Sequence, residues 1–101
     1  MTAKRRSREP AHPGSLLREV VLPAMDVSIA QAAREMGVSR QQLYMILRER
    51  RAVTAEMAMR LGKYCGNGAE LWLNMQTAYD LWRARNALEG ELAAIPTRAV
   101  G

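Results

Sequence analysis

The spacing of apolar positions is helical in the middle of the chain. Between residues 28 and 48, two short segments repeat apolar residues every three or four positions, which places them on one face of a helix. The inner faces are Ile29, Ala32, Ala33 and Met36 in the first segment, and Leu43, Ile46 and Leu47 in the second. Ser28 and Ser39 stand where N-caps are expected, and Gly37 suits a turn that needs a positive φ. The pattern predicts two helices joined by a tight turn.

Three further helices are predicted around this pair. The first opens at residues 12–14 and ends or kinks at Pro23, because proline lacks the N–H that a helix interior needs. The fourth begins after Thr54, and the fifth, which is the longest, extends from about Ala69 to Leu88. The sequence has no strand pattern. We therefore expect an all-α fold of five helices with a long C-terminal helix.

The two ends of the chain differ from this pattern. Residues 1–11 contain charge, serine and proline but no apolar repeat, and we expect a flexible basic arm. Residues 90–101 include Gly90 and Pro96, which are poor helix formers, and we expect a flexible tail. The predicted folded domain is therefore residues 12–89.

The fifth predicted helix has two apolar stripes, although a helix on the surface of a small monomer needs only one. One stripe is Trp72, Met75, Tyr79 and Trp82, and the other is Leu71, Ala78, Leu81 and Leu88. One stripe should close the core and the other should meet a second copy of the chain. We assign the homodimer interface to Trp72, Met75, Tyr79 and Trp82. The alternative is that residues 90–101 fold back over the second stripe.

Composition and charge narrow the class of protein. The 101 residues suit one domain, and the formal net charge of +5 with a pI of about 10.1 favours an anionic partner. Residues 28–65 have seven basic and three acidic residues, whereas residues 66–101 have three basic and four acidic ones. The single cysteine, Cys65, excludes an intrachain disulfide, and no apolar run is long enough to span a bilayer. We therefore expect a cytoplasmic protein with no membrane partner.

The outer faces of the second helix of the central pair are polar. The pattern Ala-x-x-x-Gly-Val-Ser-x-x-x-Leu over residues 33–43 resembles the helix-turn-helix of phage-repressor-like regulators, in which the second helix enters the DNA major groove. This resemblance implies that Arg40 and Gln41, in the first turn, read base edges. Arginine can form two hydrogen bonds with guanine, and glutamine can form two with adenine. Tyr44 and Met45 lie one turn further on, where they can touch a thymine methyl group or the sugar-phosphate edge.

Phosphate contacts are expected on either side of these residues. Arg48, Arg50 and Arg51 suit phosphates, which set the register of the protein on DNA without reading sequence. The Ser28 and Ser39 hydroxyls, with the backbone N–H groups at the two helix starts, also suit phosphates. The alternative for each side chain is an ordinary solvated surface residue. Their convergence on one helix-turn-helix face favours binding of double-stranded DNA.

The sequence offers little for catalysis. His12 is the only histidine, and because it precedes a proline at a helix start we interpret it as a cap. Cys65 lies at the end of an apolar helix and is interpreted as a core residue. No metal cluster, nucleophile–base pair or phosphate-binding glycine loop can be built from these residues. We therefore expect no enzymatic activity, no metal and no cofactor.

Four segments of the chain resemble one family. They are HPGSLLREVVL, AAREMGVSRQQLYMIL, RRAVTAEMAMRLGKY and ELWLNMQTAYDLWRA. Through them, residues 12–88 resemble the HigA-type antitoxins, a branch of the phage-repressor-like helix-turn-helix proteins. The resemblance implies a five-helix DNA-binding fold, usually dimeric, that represses its own toxin–antitoxin operon and neutralises a RelE-like mRNA-cleaving toxin. A dimer would read a palindromic operator.

The chain departs from the family pattern after the third helix. The turn there usually resembles Asn-Gly-Lys-Arg, whereas this chain has Arg48-Glu49-Arg50-Arg51. Without glycine, either an ordinary residue adopts the left-handed conformation or the third helix is longer.

Two other functions stay open, a stand-alone phage-repressor-like regulator without a toxin partner and a module that contacts only proteins.

Overall fold

The computed structural model describes residues 8–100, and within them the chain forms five helices and no strand. Helix α1 consists of three consecutive segments, Pro13–Leu16, Leu17–Val21 and Leu22–Met25. The others are α2 (Ile29–Met36), α3 (Arg40–Leu47), α4 (Ala55–Cys65) and α5 (Ala69–Ala94). The predicted all-α, five-helix fold is confirmed. Most of the predicted basic arm, residues 1–7, lies outside the described residues.

Helix α1 passes through Pro23 and does not end there. Its middle segment is π-helical, and the Leu22 N–H bonds to the carbonyl of Leu17, five residues back. In a regular α-helix the proline ring clashes with the carbonyl four residues earlier, and the wider π turn relieves that clash. The helix ends at Asp26, which adopts a left-handed conformation with φ 55°. The expectation that the helix could end at Pro23 is therefore wrong, and the distortion that the structure shows is a widened turn before the proline.

The five helices share one hydrophobic core. Its buried members are Leu17, Leu22, Ala32, Ala33, Met36, Leu43, Ile46, Leu47, Val53, Met57, Ala58, Leu61 and Trp72. Trp72 is the largest of them and has no exposed surface. Its indole N–H donates a hydrogen bond to Asn67 Oδ1 at 2.9 Å, so its one polar group is satisfied inside the chain. The assignment of Trp72 to a dimer interface is therefore wrong, since its ring is already enclosed by its own subunit.

Helix α5 is longer than its apolar pattern predicts. It continues to Ala94 and includes Gly90, so the predicted flexible tail is helical over its first five residues, 90–94. A glycine inside a helix costs about 1 kcal/mol relative to alanine. The neighbouring residues Glu89, Glu91 and Leu92 are good helix formers and offset that penalty. The helix ends before Pro96, where Ile95 takes an extended conformation.

The helices of the described chain are not of the membrane-spanning kind. Among residues 8–100, no helix is both long enough and apolar enough to cross a bilayer. Although α5 has 26 residues, six of them are charged: Glu70, Asp80, Arg83, Arg85, Glu89 and Glu91.

Candidate nucleic-acid interface

Helices α2 and α3 form the helix-turn-helix unit, and its ends are capped as the sequence predicts. The Ser28 hydroxyl accepts a hydrogen bond from the Gln31 N–H at 3.0 Å, and the Ser39 hydroxyl accepts one from the Gln42 N–H at 3.0 Å. In the turn, Gly37 has φ 76°, a conformation that favours glycine. These local contacts set the angle between the two helices.

The outer face of α3 presents the side chains expected to read bases. Arg40, Gln41 and Tyr44 are exposed and lie within one sector of the helix, since they are one and four positions apart. Met45 is half-buried at the edge of that sector. The opposite face of α3 packs into the core. The structure therefore brings Arg40, Gln41 and Tyr44 together on one surface and places Met45 at its border.

The segment that leaves α3 carries three arginines, and we call residues 48–53 the exit loop. Glu49 adopts the left-handed conformation with φ 62°, so an ordinary residue makes the turn that glycine usually makes. The Glu49 N–H bonds to the Ile46 carbonyl at 2.9 Å, and the Arg50 N–H bonds to the Met45 carbonyl at 2.8 Å. This is the Schellman arrangement, which satisfies the last carbonyls of a helix. Of the two alternatives left by the sequence, the left-handed residue is the one observed.

The arginines of the exit loop project into solvent. Arg48, Arg50 and Arg51 are all exposed. The Arg48 guanidinium lies over the Tyr44 ring, 5.6 Å from its centroid. A cation in this position is attracted to the ring face, so the two side chains orient each other. The outer face of α3 and the exit loop thus meet at the Tyr44–Arg48 contact and form one continuous surface with four exposed arginines, Arg40, Arg48, Arg50 and Arg51.

A residue of α1 holds the C-terminal end of α3. The Arg18 guanidinium donates a hydrogen bond to the Leu47 carbonyl at 2.5 Å and pairs with the Glu49 carboxylate at 3.3 Å. It therefore draws the one acidic side chain of the exit loop toward α1. Sequence reasoning missed this contact because its two halves are 29 positions apart and neither belongs to a recognisable motif.

The start of α1 packs against the same end of α3. His12 is 3% exposed, and its Nδ1 accepts a hydrogen bond from the Gly14 N–H at 2.9 Å, which confirms its interpretation as a cap. Its ring meets the Tyr79 ring edge-on at 4.9 Å. Burial lowers the pKa of His12 below its usual 6.5 and Arg18 adds to this, while Glu49 and Asp80 oppose it. The buried imidazole therefore favours its neutral form.

Gly14 is where α1 and α3 come closest. A Cβ built on Gly14 would lie 1.9 Å from the Ile46 carbonyl oxygen, far closer than any real contact. A residue without a side chain is needed here because the backbones of the two helices touch. The first turn of α1 therefore supports the C-terminal end of α3 directly.

The exit loop is also tied to α5. Gln76 is 4% exposed, and its side-chain Oε1 accepts a hydrogen bond from the Val53 N–H at 2.8 Å. Sequence reasoning did not single out Gln76. A signal was available, since Gln76 lies on the same face as Trp72 and Tyr79, and a polar residue on a core face is expected to have a buried partner.

The two stripes of α5 have different environments. In the first stripe, Met75, Tyr79 and Trp82 are half-buried, and the Tyr79 ring meets the His12 ring. The second stripe is exposed at Leu81 (48%) and Leu88 (41%), and it is followed by the exposed Leu92 in the helix and the exposed Ile95 directly after its end. The first stripe thus begins in the core at Trp72, whereas the second is not covered by the described residues of the same subunit.

Comparison with known proteins places this arrangement in a family. A helix-turn-helix family model matches residues 17–72, from α1 to the start of α5. A Pseudomonas aeruginosa structure described as antitoxin HigA with the higBA promoter is 37% identical with a TM-score of 0.83, covering 90% of this chain and 100% of that one. The chain belongs to the HigA-type helix-turn-helix family.

Two further proteins are similar to this chain over most of its length. Antitoxin GraA in complex with its operator has a TM-score of 0.83 and 40% identity, covering 93% of this chain and 95% of that one. Virulence-associated protein I of Dichelobacter nodosus is 44% identical over 85 residues, which are 84% of this chain and 79% of that protein. The resemblance that the sequence motifs indicated is confirmed, and the family match spans every residue predicted to touch DNA, from Ser28 to Arg51.

Proposed function

We propose that this protein is an antitoxin and transcriptional autorepressor, which binds its own operator as a homodimer and neutralises a RelE-like mRNA-cleaving toxin. The observation that carries the proposal is the continuous basic surface made by the outer face of α3 and the exit loop. Two structures that resemble this chain over nine-tenths of its length are described with promoter or operator DNA, which supports the DNA-binding part. The antitoxin names of these structures support the toxin-neutralising part.

In this proposal α3 enters the major groove with its N-terminal end nearest the bases. Arg40 and Gln41 are exposed in its first turn, where each can form a two-bond contact with a base edge. The Arg48 guanidinium lies over the Tyr44 ring and orients it beside Arg40 and Gln41. In this position Tyr44 can contact a thymine methyl group or a sugar. Met45 contributes apolar contact at the border of this surface.

The backbone contacts of the operator surround this surface. Arg48, Arg50 and Arg51 are exposed on the exit loop, and each can neutralise one phosphate. The Ser28 and Ser39 hydroxyls cap α2 and α3, so their helix N-termini present N–H groups and a positive dipole end to phosphates. These contacts set the register in which the bases are read.

The homodimer in this proposal uses the exposed stripe of α5. Leu81, Leu88 and Leu92 are separated by seven and four positions, which is the spacing of a helix-pairing seam, and Ile95 follows directly after the helix. Met75, Tyr79 and Trp82 are half-buried in their own subunit, so they can contribute only the edge of the interface. Two copies paired in this way would present two recognition helices to half-sites about 34 Å apart, as a palindromic operator requires.

Operator binding is tested by fluorescence anisotropy on the DNA upstream of the chain's own gene. Arg40→Ala with Gln41→Ala should weaken binding and reduce discrimination against base-changed operators, by about 1–3 kcal/mol for each pair of base hydrogen bonds that the change removes. The matched control is Arg98→Ala, which removes the same charge from an exposed position beyond α5. Equal binding by the double variant and the wild type would contradict the base-reading role.

The dimer and the toxin need separate tests. Leu81→Asp with Leu88→Asp should convert a dimer to a monomer in light scattering, whereas Ala93→Asp, at an exposed position of α5 outside the stripe, should not. Co-expression with a RelE-like reading frame beside the gene should relieve that protein's toxicity. If toxicity persists while operator binding is intact, the protein is a stand-alone regulator and the antitoxin proposal fails.

A further inference from the structure

A buried glutamine on α5 takes no part in the contacts proposed so far. The Gln76 Oε1 accepts from the Val53 N–H at 2.8 Å, and its Nε2 donates to Asp80 Oδ1 at 2.9 Å. A backbone N–H needs an acceptor and a carboxylate needs a donor, so both partners demand the same orientation of the side-chain amide. Asp80 therefore orients Gln76, and Gln76 in turn holds Val53.

Val53 is the last residue of the exit loop, so the loop is fastened at both ends. At its beginning, the N–H groups of Glu49 and Arg50 bond to carbonyls of α3. At its end, the Val53 side chain is 2% exposed and its N–H is bonded to Gln76. Between these two fixed points, Arg50 and Arg51 extend into solvent from a short length of backbone. The fixed backbone consequently restricts the positions that their guanidinium groups can occupy before DNA binds.

We propose that Gln76 is a positioning residue for phosphate binding, which fixes the exit loop so that Arg50 and Arg51 meet the operator backbone. A loop that is ordered before binding loses less conformational freedom when it engages DNA. The inference rests on the proposed operator binding and adds the residue that orders its phosphate contacts. It also assigns a role to two polar residues of the ELWLNMQTAYDLWRA segment, Gln76 and Asp80.

Three variants separate positioning from simple structural support. Gln76→Leu removes both hydrogen bonds at similar side-chain size. Gln76→Glu keeps an acceptor for the Val53 N–H but places a second carboxylate against Asp80. Combining Gln76→Glu with Asp80→Asn reverses the polarity of the pair, because the new amide at position 80 donates to the new carboxylate at position 76. Thr77→Leu, at the exposed neighbouring position, is the matched control.

The readout is the dependence of operator affinity on salt concentration. It is measured at a temperature at which thermal unfolding curves show each variant to be folded. Gln76→Leu and Gln76→Glu should each lower the slope of log affinity against log salt by about 1 for every arginine that is no longer held on a phosphate. Discrimination between the operator and base-changed operators should stay at its wild-type value, since α3 is unaffected. The double variant and Thr77→Leu should keep the wild-type slope.

Amide hydrogen exchange supplies a readout without DNA. The Val53 amide should exchange faster in Gln76→Leu than in the wild type and should recover protection in the double variant. A wild-type salt slope in both single variants would overturn the proposal. An equal decrease of the salt slope in Gln76→Glu and in the double variant would overturn it as well. If Gln76→Leu does not fold, the comparison of Gln76→Glu with the double variant decides. A wild-type chain that does not bind the operator would instead overturn the proposed function, while Val53 exchange still reports the anchor.

Discussion

Acidification should destabilise the fold through one histidine. His12 caps α1 with its Nδ1, which accepts the Gly14 N–H, so the neutral ring carries its proton on Nε2. Protonation at Nδ1 would set two N–H donors against each other and place a positive charge at the positive end of a helix dipole. Burial lowers the pKa of His12, and the nearby Arg18 acts in the same direction against the opposing Glu49 and Asp80.

The sign and the upper limit of the effect follow from linkage. Because the pKa in the folded state is below the unfolded value of 6.5, the unfolded chain binds more protons as the pH falls. The contribution of His12 to the free energy of unfolding is therefore fully present above pH 6.5 and is lost below it. For one group, the loss at pH 5.5 cannot exceed about 1.4 kcal/mol. For a domain of this size, that limit corresponds to a melting temperature lower by about 5–10 °C.

The assay is thermal or urea unfolding followed by circular dichroism between pH 7.5 and pH 5.5, a range in which ordinary carboxylates stay ionised. His12→Asn is the control, because its side-chain oxygen can still accept the Gly14 N–H but does not titrate. This variant should be less stable at pH 7.5, since the edge-on packing against Tyr79 is absent, yet its stability should change little with pH. If the His12→Asn variant loses as much stability between pH 7.5 and pH 5.5 as the wild type does, the assignment of the effect to His12 is refuted.

Replacing Gly14 or Gly90 with alanine should change the stability of the fold in opposite directions. Gly14→Ala should destabilise the chain by several kcal/mol or prevent folding, because its Cβ would lie 1.9 Å from the Ile46 carbonyl oxygen; urea unfolding measures this. Gly90→Ala should stabilise the end of α5 by about 1 kcal/mol, because nothing lies within 4 Å of the new Cβ and alanine is the better helix former. Greater ellipticity at 222 nm would show the second effect, and unchanged stability of Gly14→Ala would contradict the first.

The parts of the fold that sequence predicts well are those set by neighbours in the chain. Ser28, Ser39 and Thr54 each accept a bond from the N–H three residues later, so the cap and the capped group belong to one short segment. Gly37 acts in the same local way. The helix-turn-helix unit and its exposed polar face could therefore be placed from residues 28–48 alone.

The parts that sequence predicts poorly depend on residues far apart in the chain. The Arg18 bond to Leu47 spans 29 positions and the Gln76 bond to Val53 spans 23. In both contacts a polar side chain meets a backbone group, and a backbone group has no signature in the sequence. The exit loop shows the consequence, because its arginines were found by charge while the two residues that fasten it were not.

Helix α5 shows why an apolar pattern alone placed Trp72 in the dimer interface. Both of its stripes are apolar, so periodicity does not distinguish the stripe that meets the core from the one that does not. The distinction lies in Gln76, which shares the face of Trp72 and is buried with both its donor and its acceptor satisfied. A buried polar residue needs partners that only its own subunit supplies here, so the stripe beside Gln76 belongs to the core. That leaves Leu81, Leu88 and Leu92, on a face of α5 that the described part of its own chain does not cover, together with Ile95 just after the helix, as the surface on which the proposed dimer depends.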